Sequence, residues 1–576
     1  MKNPFVANIV EQLTAATPLD ADALESALSV PPNEAMGDYA FPCFALAKQL
    51  RKKPNEIAAD LAGKIVPNDL IREARPVGPY VNFFVQPNAF IGWVLNEARE
   101  RGEKFGHSDI GKGRTVIVEY SSPNIAKHLG VHHIRSTMIG HALCMIYSAL
   151  GYRTVGVNFL GDWGTQFGIL MAAYKKWGGP DTLKGDAVGN LNELYVRFNE
   201  EAKADPALRE EGRAWFKKLE EGDPEAVELW RTFREVSLAA FQKVYTRLGV
   251  QFDVLSGESA YEKQMPETIR RLEDKGLAKI DDGALIVDLK PHKMPPVLLR
   301  KSDGATLYDT RDVAAAEARY EEYKFAKMVY VVGGDQKLHF RQIFRVLEMM
   351  GHEWAKKCEH VDFGIIRLRD ENDYGGSGSG TKMSTRKGTV IMLKDVLAEA
   401  VARVGETIAE KNPDLPNKDA VAEMVGVGAV VFNDLKRQRT KDVDFDWDTV
   451  LSFEGDTGPY VQYAHVRLCG ILRKYGKPVA EVPDFSRLDQ PEDLIMAKAL
   501  TNLSVAVRRA ADANEPSVVA QYLLDLCAKW SNYYHKHQVV GEDASLTDAR
   551  IALVDAVRQT IANGLALLGV KAPEEM

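Results

Sequence analysis

The chain has 576 residues, 45% hydrophobic and 27% charged, with a net charge of −8; this exceeds one hydrophobic core, so three or four domains are expected, and it excludes a disordered chain or a polyanion coat protein. Cys43, Cys144, Cys358, Cys469 and Cys527 lie far apart with no CxxC pair, which argues against a zinc ribbon, an iron–sulfur cluster or a disulfide framework and suits a reducing cytoplasm. The amphipathic start MKNPFVANIVEQL lacks the apolar core and cleavage site of a signal peptide, and no run of about 18 apolar residues occurs, so neither secretion nor a membrane span is expected.

Residues 1–90 read as a small α/β domain. Its last stretch, Pro76 to Val85, has the alternation and aromatics of a strand pair. Lys48, Arg51, Lys52 and Lys53 fall on what reads as one helical stretch, either a solvated face or an RNA-backbone contact.

Thr115-Val116-Ile117-Val118 is a β-branched strand, and the polar elbow Ser121-Ser122-Pro123-Asn124 ends it. The helix that follows keeps Ile134, Met138, Ala142 and Ile146 at helical spacing until Gly151. His128, His132 and His133 crowd the elbow, near where a helix N-terminus would present backbone N–H groups to a phosphate. A second strand over 153–160 completes a βαβ unit and ends in Gly161-Asp162-Trp163-Gly164. In parallel sheets ligands bind outside the C-terminal strand ends, where both the elbow and this turn fall.

A charged helical insertion occupies about 180–245. Short strands follow over 285–289 and 296–300, and Ser302-Asp303-Gly304 reads as a hairpin turn. Thr310 is expected to cap the next helix, with Asp312 in its first turn and Tyr308 four residues before it, so that both face one pocket. The apolar strand 327–332 is of the buried parallel type and ends in Gly333-Gly334-Asp335-Gln336. A strand is expected over 360–367. The glycine- and serine-rich loop 375–380 then delivers Thr381-Lys382-Met383-Ser384-Thr385-Arg386-Lys387, the composition of a mobile lid over a polyphosphate. From about 395 the chain reads as helical. Lys436, Arg437 and Arg439 form a basic cluster, and Tyr460, Tyr463, His465 and Arg467 interleave aromatics and cations, a pattern that suits single-stranded RNA or loop recognition and equally a helix core with snorkelling lysines.

Read together, Met36-Gly37-Asp38-Tyr39-Ala40, Gly78 to Phe84, Ser122 to Lys127, Ile134 to Thr137, Gly161 to Gly168, Lys382-Met383-Ser384, and the stretch from Ser452 through His465 resemble, in order, the motifs of class I aminoacyl-tRNA synthetases, specifically the arginyl-tRNA synthetase family. The resemblance covers nearly the whole chain. It implies an α/β fold: a Rossmann-type parallel-sheet catalytic domain (112–395), a tRNA-binding α/β N-terminal domain (1–90), a helical connector (396–450) and an all-helical anticodon-binding domain (451–576). It further implies ligation of L-arginine to tRNA(Arg) through an arginyl-adenylate, with ATP as substrate accompanied by Mg2+, no structural metal, a monomer and cytoplasmic residence. Glu119, Ser122, Asn124, His133, Tyr308, Asp312 and Gln336 match the family's arginine-binding positions. Because a guanidinium is always charged, the acids Glu119 and Asp312 suit it. Gly130, His133, Lys382, Met383 and Ser384 are expected around ATP.

Two departures bear on catalysis. Thr385 stands where the lid motif has its second lysine, and Lys127 is the candidate replacement. The His-x-Gly-His motif reads Gly130-Val131-His132-His133, so His128 or His132 is expected to take over part of the phosphate contact of the missing first histidine.

Overall fold

The computed structural model describes residues 3–31, 33–302, 308–368 and 391–576. Lys382, Met383 and Ser384, and the hairpin expected at 302–304 beyond Ser302, lie outside the described residues. The chain divides into two compact units: 1–106 with 468–503 and 525–561, and 107–467 with 504–524 and 562–576.

In the first unit β1 (Tyr39–Pro42), β2 (Ile71–Val77) and β3 (Tyr80–Val85) form an antiparallel sheet of order β1-β3-β2. The β2–β3 pair is the expected hairpin: its two-residue turn needs a left-handed first position, and Gly78 takes it at φ 57°. Phe41, Val81 and Phe83 from the sheet and Phe5, Ile9 and Leu61 from the helices are buried. The cluster Lys48, Arg51, Lys52, Lys53 does not share one helix. Helix Phe44–Leu50 stops at Arg51 in the left-handed region, and Pro54 opens helix Pro54–Ala62, because proline starts helices and cannot sit inside one.

The second unit is built on a five-stranded parallel sheet. Its strands are β4 (Thr115–Glu119), β5 (Arg153–Leu160) and β6 (Val254–Gly257), followed, after a small antiparallel sheet of β7 (Ala278–Asp281), β8 (Ala284–Val287) and β9 (Val297–Arg300), by β10 (Lys327–Val331) and β11 (Cys358–Val361). The order β11-β10-β4-β5-β6 places the first strand in the middle. The chain winds outward from β4 to β6, then returns to β4's other side with β10. The carboxyl ends of β4 and β10 are therefore the switch point of a Rossmann-type sheet, where a crevice opens. The apolar runs expected from the sequence account for the sheet: Val116, Ile117, Val118, Met328, Val329 and Val331 are all buried.

The insertion consists of helices Ala187–Ala204, Ala207–Glu220 and Pro224–Leu248. Two expectations are corrected. Helix Tyr308–Tyr323 starts two residues before Thr310, whose hydroxyl donates to the Leu299 carbonyl (3.0 Å) instead of capping. The strand expected over 360–367 is two strands, β11 and β12 (Ile366–Leu368). The second pairs in parallel with β13 (Val443–Phe445), and Gly364 N–H between them donates to the Arg439 carbonyl. Beyond β13 the chain is helical, with Gly458–Tyr475, Pro491–Ala513, Ser517–Lys536 and Ala544–Leu567 its long helices. No helix among the described residues is long and apolar enough to cross a membrane.

Candidate active site

The elbow after β4 is held in a strained shape. Ser121 and Ser122 sit at φ 70° and 47°, a region that costs non-glycine residues about 1–3 kcal/mol and persists only where surroundings enforce it. Here Ser121 N–H donates to Ser136 Oγ (2.9 Å), whose own hydroxyl donates to the Val331 carbonyl (2.7 Å), tying the β4 elbow to the end of β10. Ser121 Oγ lies between Tyr245 Oη and Thr137 Oγ1, each at 2.8 Å. Ser122 N–H donates to Asn158 Oδ1 (3.2 Å), while its buried hydroxyl has no partner among the described residues. A buried hydroxyl left open at a crevice is costly unless a ligand completes it.

The crevice is a cavity of about 550 Å3, lined by Ser121, Ser122, His132, His133, Arg135 and Ser136 on the β4 side, by 331–335 at the end of β10, and by 363–366 and Asp442. Nδ1 of His133 lies 3.0 Å from the Gly130 N–H and 3.2 Å from the Gly130 carbonyl oxygen, so Gly130 fixes the ring through either tautomer. Burial, helped by His132, lowers the His133 pKa from 6.5 to about 3, which makes it a neutral hydrogen-bond donor, not a cation. The His132 ring lies tilted against it with centroids 4.0 Å apart, and His132 is exposed. Gly130 also forms an isolated antiparallel bridge with Met392, just before helix Leu393–Lys411.

The three imidazoles are not gathered at one site. His128 turns to the insertion, where its Nε2 lies 2.9 Å from Asp186 Oδ1, and lines a separate cavity of about 520 Å3 with Asp186, Lys243 and Lys394. The five residues 128–132 ahead of helix His133–Ala149 suffice to point neighbours in sequence to different sides. Asn124 and Lys127 line a third cavity of about 330 Å3 with Gln166 and Tyr195, and Lys127 Nζ lies 5.7 Å from the Tyr195 ring centre.

Glu119, at the end of β4, is buried against Arg319, with Nη1 2.5 Å from Oε2. Burial raises its pKa, against the pull of Arg319, and the charge of Asp312 raises it further. Arg319, not among the expected site residues, stands two helical turns past Asp312 and so on the same face of one helix. Asp312 itself is held by His339, whose Nε2 lies 2.6 Å from Oδ2, while the Nδ1 of the same ring lies 2.9 Å from Asp309 Oδ1. Glu258, across from Asp312 and Asp162, has its pKa pushed up to about 7 by burial, opposed by Arg311 and reinforced by those two acids. Gln336 ends the short turn Gly334–Gln336 after β10. Tyr308 opens helix Tyr308–Tyr323, its side chain outside the described ones.

Of the residues expected to meet tRNA, Arg439 is committed to Asp362 (2.8 Å) and the Asn514 carbonyl. Lys436 donates to the Asp456 carbonyl at 2.7 Å. Arg437 and Tyr460 are half-buried, and Tyr463 is exposed.

Three family models match the chain: the class I (R) tRNA synthetase catalytic domain over 95–447, the DALR anticodon binding domain over 461–576 and the arginyl tRNA synthetase N-terminal domain over 5–85. The chain is 46% identical to the arginine–tRNA ligase of Halothermothrix orenii and 47% to that of Clostridioides difficile, each over 558 residues and 97% of both chains. The solved Thermus thermophilus arginyl-tRNA synthetase superposes with a TM-score of 0.81 at 29% identity, covering 100% of this chain and 99% of that one. With its switch-point crevice, its three matched domains and full-length relatives at this identity, the chain belongs to the arginyl-tRNA synthetase family.

Proposed function

We infer that the protein is an arginine–tRNA ligase that joins L-arginine to tRNA(Arg) at the expense of ATP. One observation carries the arginine reading: Glu119 and Glu258 each lie close enough to Asp312 to feel its charge, an acidic cluster that suits a cationic substrate. Arg319 satisfies one oxygen of Glu119, and His339 one oxygen of Asp312. Asp312 Oδ1, without a partner among the described residues, is then the guanidinium's acceptor. Ser122, Asn124, His133, Tyr308 and Gln336 are proposed to complete the arginine site.

In the first step the arginine carboxylate attacks the α-phosphorus of ATP in line and pyrophosphate leaves. In the second a terminal ribose hydroxyl of tRNA attacks the carbonyl carbon and AMP leaves. Neither step needs a covalent enzyme intermediate; positioning and charge stabilisation suffice. Neutral His133, in the tautomer with its proton on Nε2, is proposed to donate to a phosphate oxygen at the elbow; Gly130 is proposed to let the nucleotide approach the backbone, and Lys382, Met383 and Ser384 to close over the phosphates with Lys127 as the second cation. ATP is expected as its magnesium complex, the metal carried by the phosphates. Arg437, Tyr460 and Tyr463 are the preferred tRNA contacts. Domain limits of 1–90, 112–395, 396–450 and 451–576, a monomeric state and cytoplasmic residence complete the reading.

Arginine-dependent exchange of pyrophosphate into ATP, with and without tRNA, tests it. Exchange that requires both arginine and tRNA is expected; exchange supported equally by lysine or glutamine would sink the arginine assignment. Within the pocket, Glu119→Gln is expected to raise the arginine KM about tenfold, the effect of losing a charged hydrogen bond, and an unchanged value would remove Glu119 from the site.

A further inference from the structure

We propose that His339 is a positioning residue of the amino-acid pocket: it clamps Asp309 and Asp312 and so presents the second oxygen of Asp312 to the guanidinium of arginine. The proposal rests on the reading of Asp312 as the guanidinium acceptor and says what makes that acceptor usable.

Asp309 and Asp312 are three residues apart on helix Tyr308–Tyr323, hence neighbours on one face, where like charges repel. Left alone, the two would relax by rotating apart or by sharing a proton, and either change would spoil a fork meant for a guanidinium. His339 stands between them. Its two ring nitrogens each meet a carboxylate oxygen, Nδ1 at 2.9 Å from Asp309 Oδ1 and Nε2 at 2.6 Å from Asp312 Oδ2. A neutral imidazole has one N–H and one lone pair, and the lone pair would face a carboxylate at contact distance. Only imidazolium donates on both sides. The two acids accordingly raise the His339 pKa to about 9 in spite of burial. The charge count follows: two carboxylates and one imidazolium leave a single negative charge, which one guanidinium neutralises. Asp312 Oδ2 is taken and Oδ1 is the oxygen left for substrate.

The clamp's position is set by the elements that form the crevice. His339 lies in the first turn of helix Lys337–Met349, directly after the glycine turn that ends β10. The next residue, Phe340, anchors that turn by packing on Tyr330 of β10 (5.0 Å between ring centres) and stacking on His360 of β11 (4.6 Å). Tyr330 is in turn the register partner of Glu119. One helix start thus aligns both acids of the pocket with the sheet.

The experiment is steady-state aminoacylation by the full-length protein carrying His339→Asn, Asp309→Asn or Asp312→Asn, with melting temperatures measured alongside. His339→Asn donates to one carboxylate at most, so the arginine KM is expected to rise tenfold or more, on the order of one lost charged hydrogen bond, with the ATP KM and the melting temperature little changed. Asp309→Asn, which need not touch substrate, is expected to raise the arginine KM by a smaller factor by loosening His339. An arginine KM for His339→Asn that stays level or falls overturns the proposal; a fall means that the imidazolium merely occupies the guanidinium's place. Equal rises in both Michaelis constants with a lowered melting temperature also overturn it, as a mere staple between two helices would behave so. Should His339→Asn not fold, Asp309→Asn decides, an unchanged arginine KM counting against the clamp. An unchanged arginine KM in Asp312→Asn refutes instead the underlying reading of Asp312, which separates the two failures.

Discussion

At the scale of single residues, chemistry was set less by residue type than by what each side chain faces. Three imidazoles within six residues suggested a shared phosphate grip, yet His128 pairs with Asp186 while His132 and His133 line the crevice. Pyrophosphate exchange by His128→Ala is therefore expected to keep an ATP KM within about twofold of wild type, His132→Ala to raise it, and His133→Ala to lose on the order of a hundredfold in rate, as when an electrostatic donor to the reacting group is deleted. Equal losses in the His128 and His132 variants would contradict the separation. His133 also has a pH signature. Its folded pKa is depressed from 6.5 to about 3, so the stability contributed by the neutral ring is complete above pH 6.5 and is lost as pH falls toward 3. Denaturant titrations of His133→Gln should show a shallower decline between pH 6.5 and 4 than the wild type. The glutamates and aspartates of the pocket were legible as acids at strand and helix ends. Their partners Arg319 and His339 were not, because the spacing of charged residues does not say which helix turns will face each other.

At the scale of elements, the elbow works because two glycines let chain segments touch. A Cβ on Gly140 would sit 2.2 Å from the Cβ of Tyr120, and one on Gly161 would sit 2.0 Å from Asn124 Oδ1. Helix His133–Ala149 can therefore lie against the elbow, and the β5 turn can accept the Asn124 side chain. Gly140→Ala forces the helix off the elbow and is expected to cost about 1–3 kcal/mol, the usual range for overpacking, with exchange activity falling by more than the stability loss alone explains. Melting curves together with kcat would check this, and an unaffected kcat would mean the elbow tolerates the shift. The βαβ unit, the hairpin and the insertion were visible from periodicity and turn residues. The start of helix Tyr308–Tyr323 and the break between β11 and β12 were missed, since both depend on backbone partners distant in sequence: the Leu299 carbonyl for Thr310 and the Arg439 carbonyl for Gly364.

At the scale of the whole molecule, the elbow helix is bound to helix Lys418–Leu435 by a buried ion pair. Arg135 Nε lies 3.0 Å from Asp434 Oδ1, both almost fully buried, and Arg135 Nη1 donates to the Lys441 carbonyl (2.8 Å). Asp434, two residues before the basic cluster Lys436, Arg437 and Arg439, is thus a structural counter-ion. Its removal in Asp434→Ala strands a buried guanidinium and is expected to cost about 3–5 kcal/mol in chemical denaturation, whereas an apolar pair such as Arg135→Met with Asp434→Leu should recover much of the loss. The order of elements, the parallel sheet, the helical C-terminal region and the family were all determined by the sequence, because hydrophobic period, turn residues and motif order are local properties of a chain. Tertiary structure alone decided which charges meet. Only folding brings Glu119 to Arg319, Asp312 to His339 and Arg135 to Asp434, and the cost of burying an unpaired charge is what makes those meetings specific.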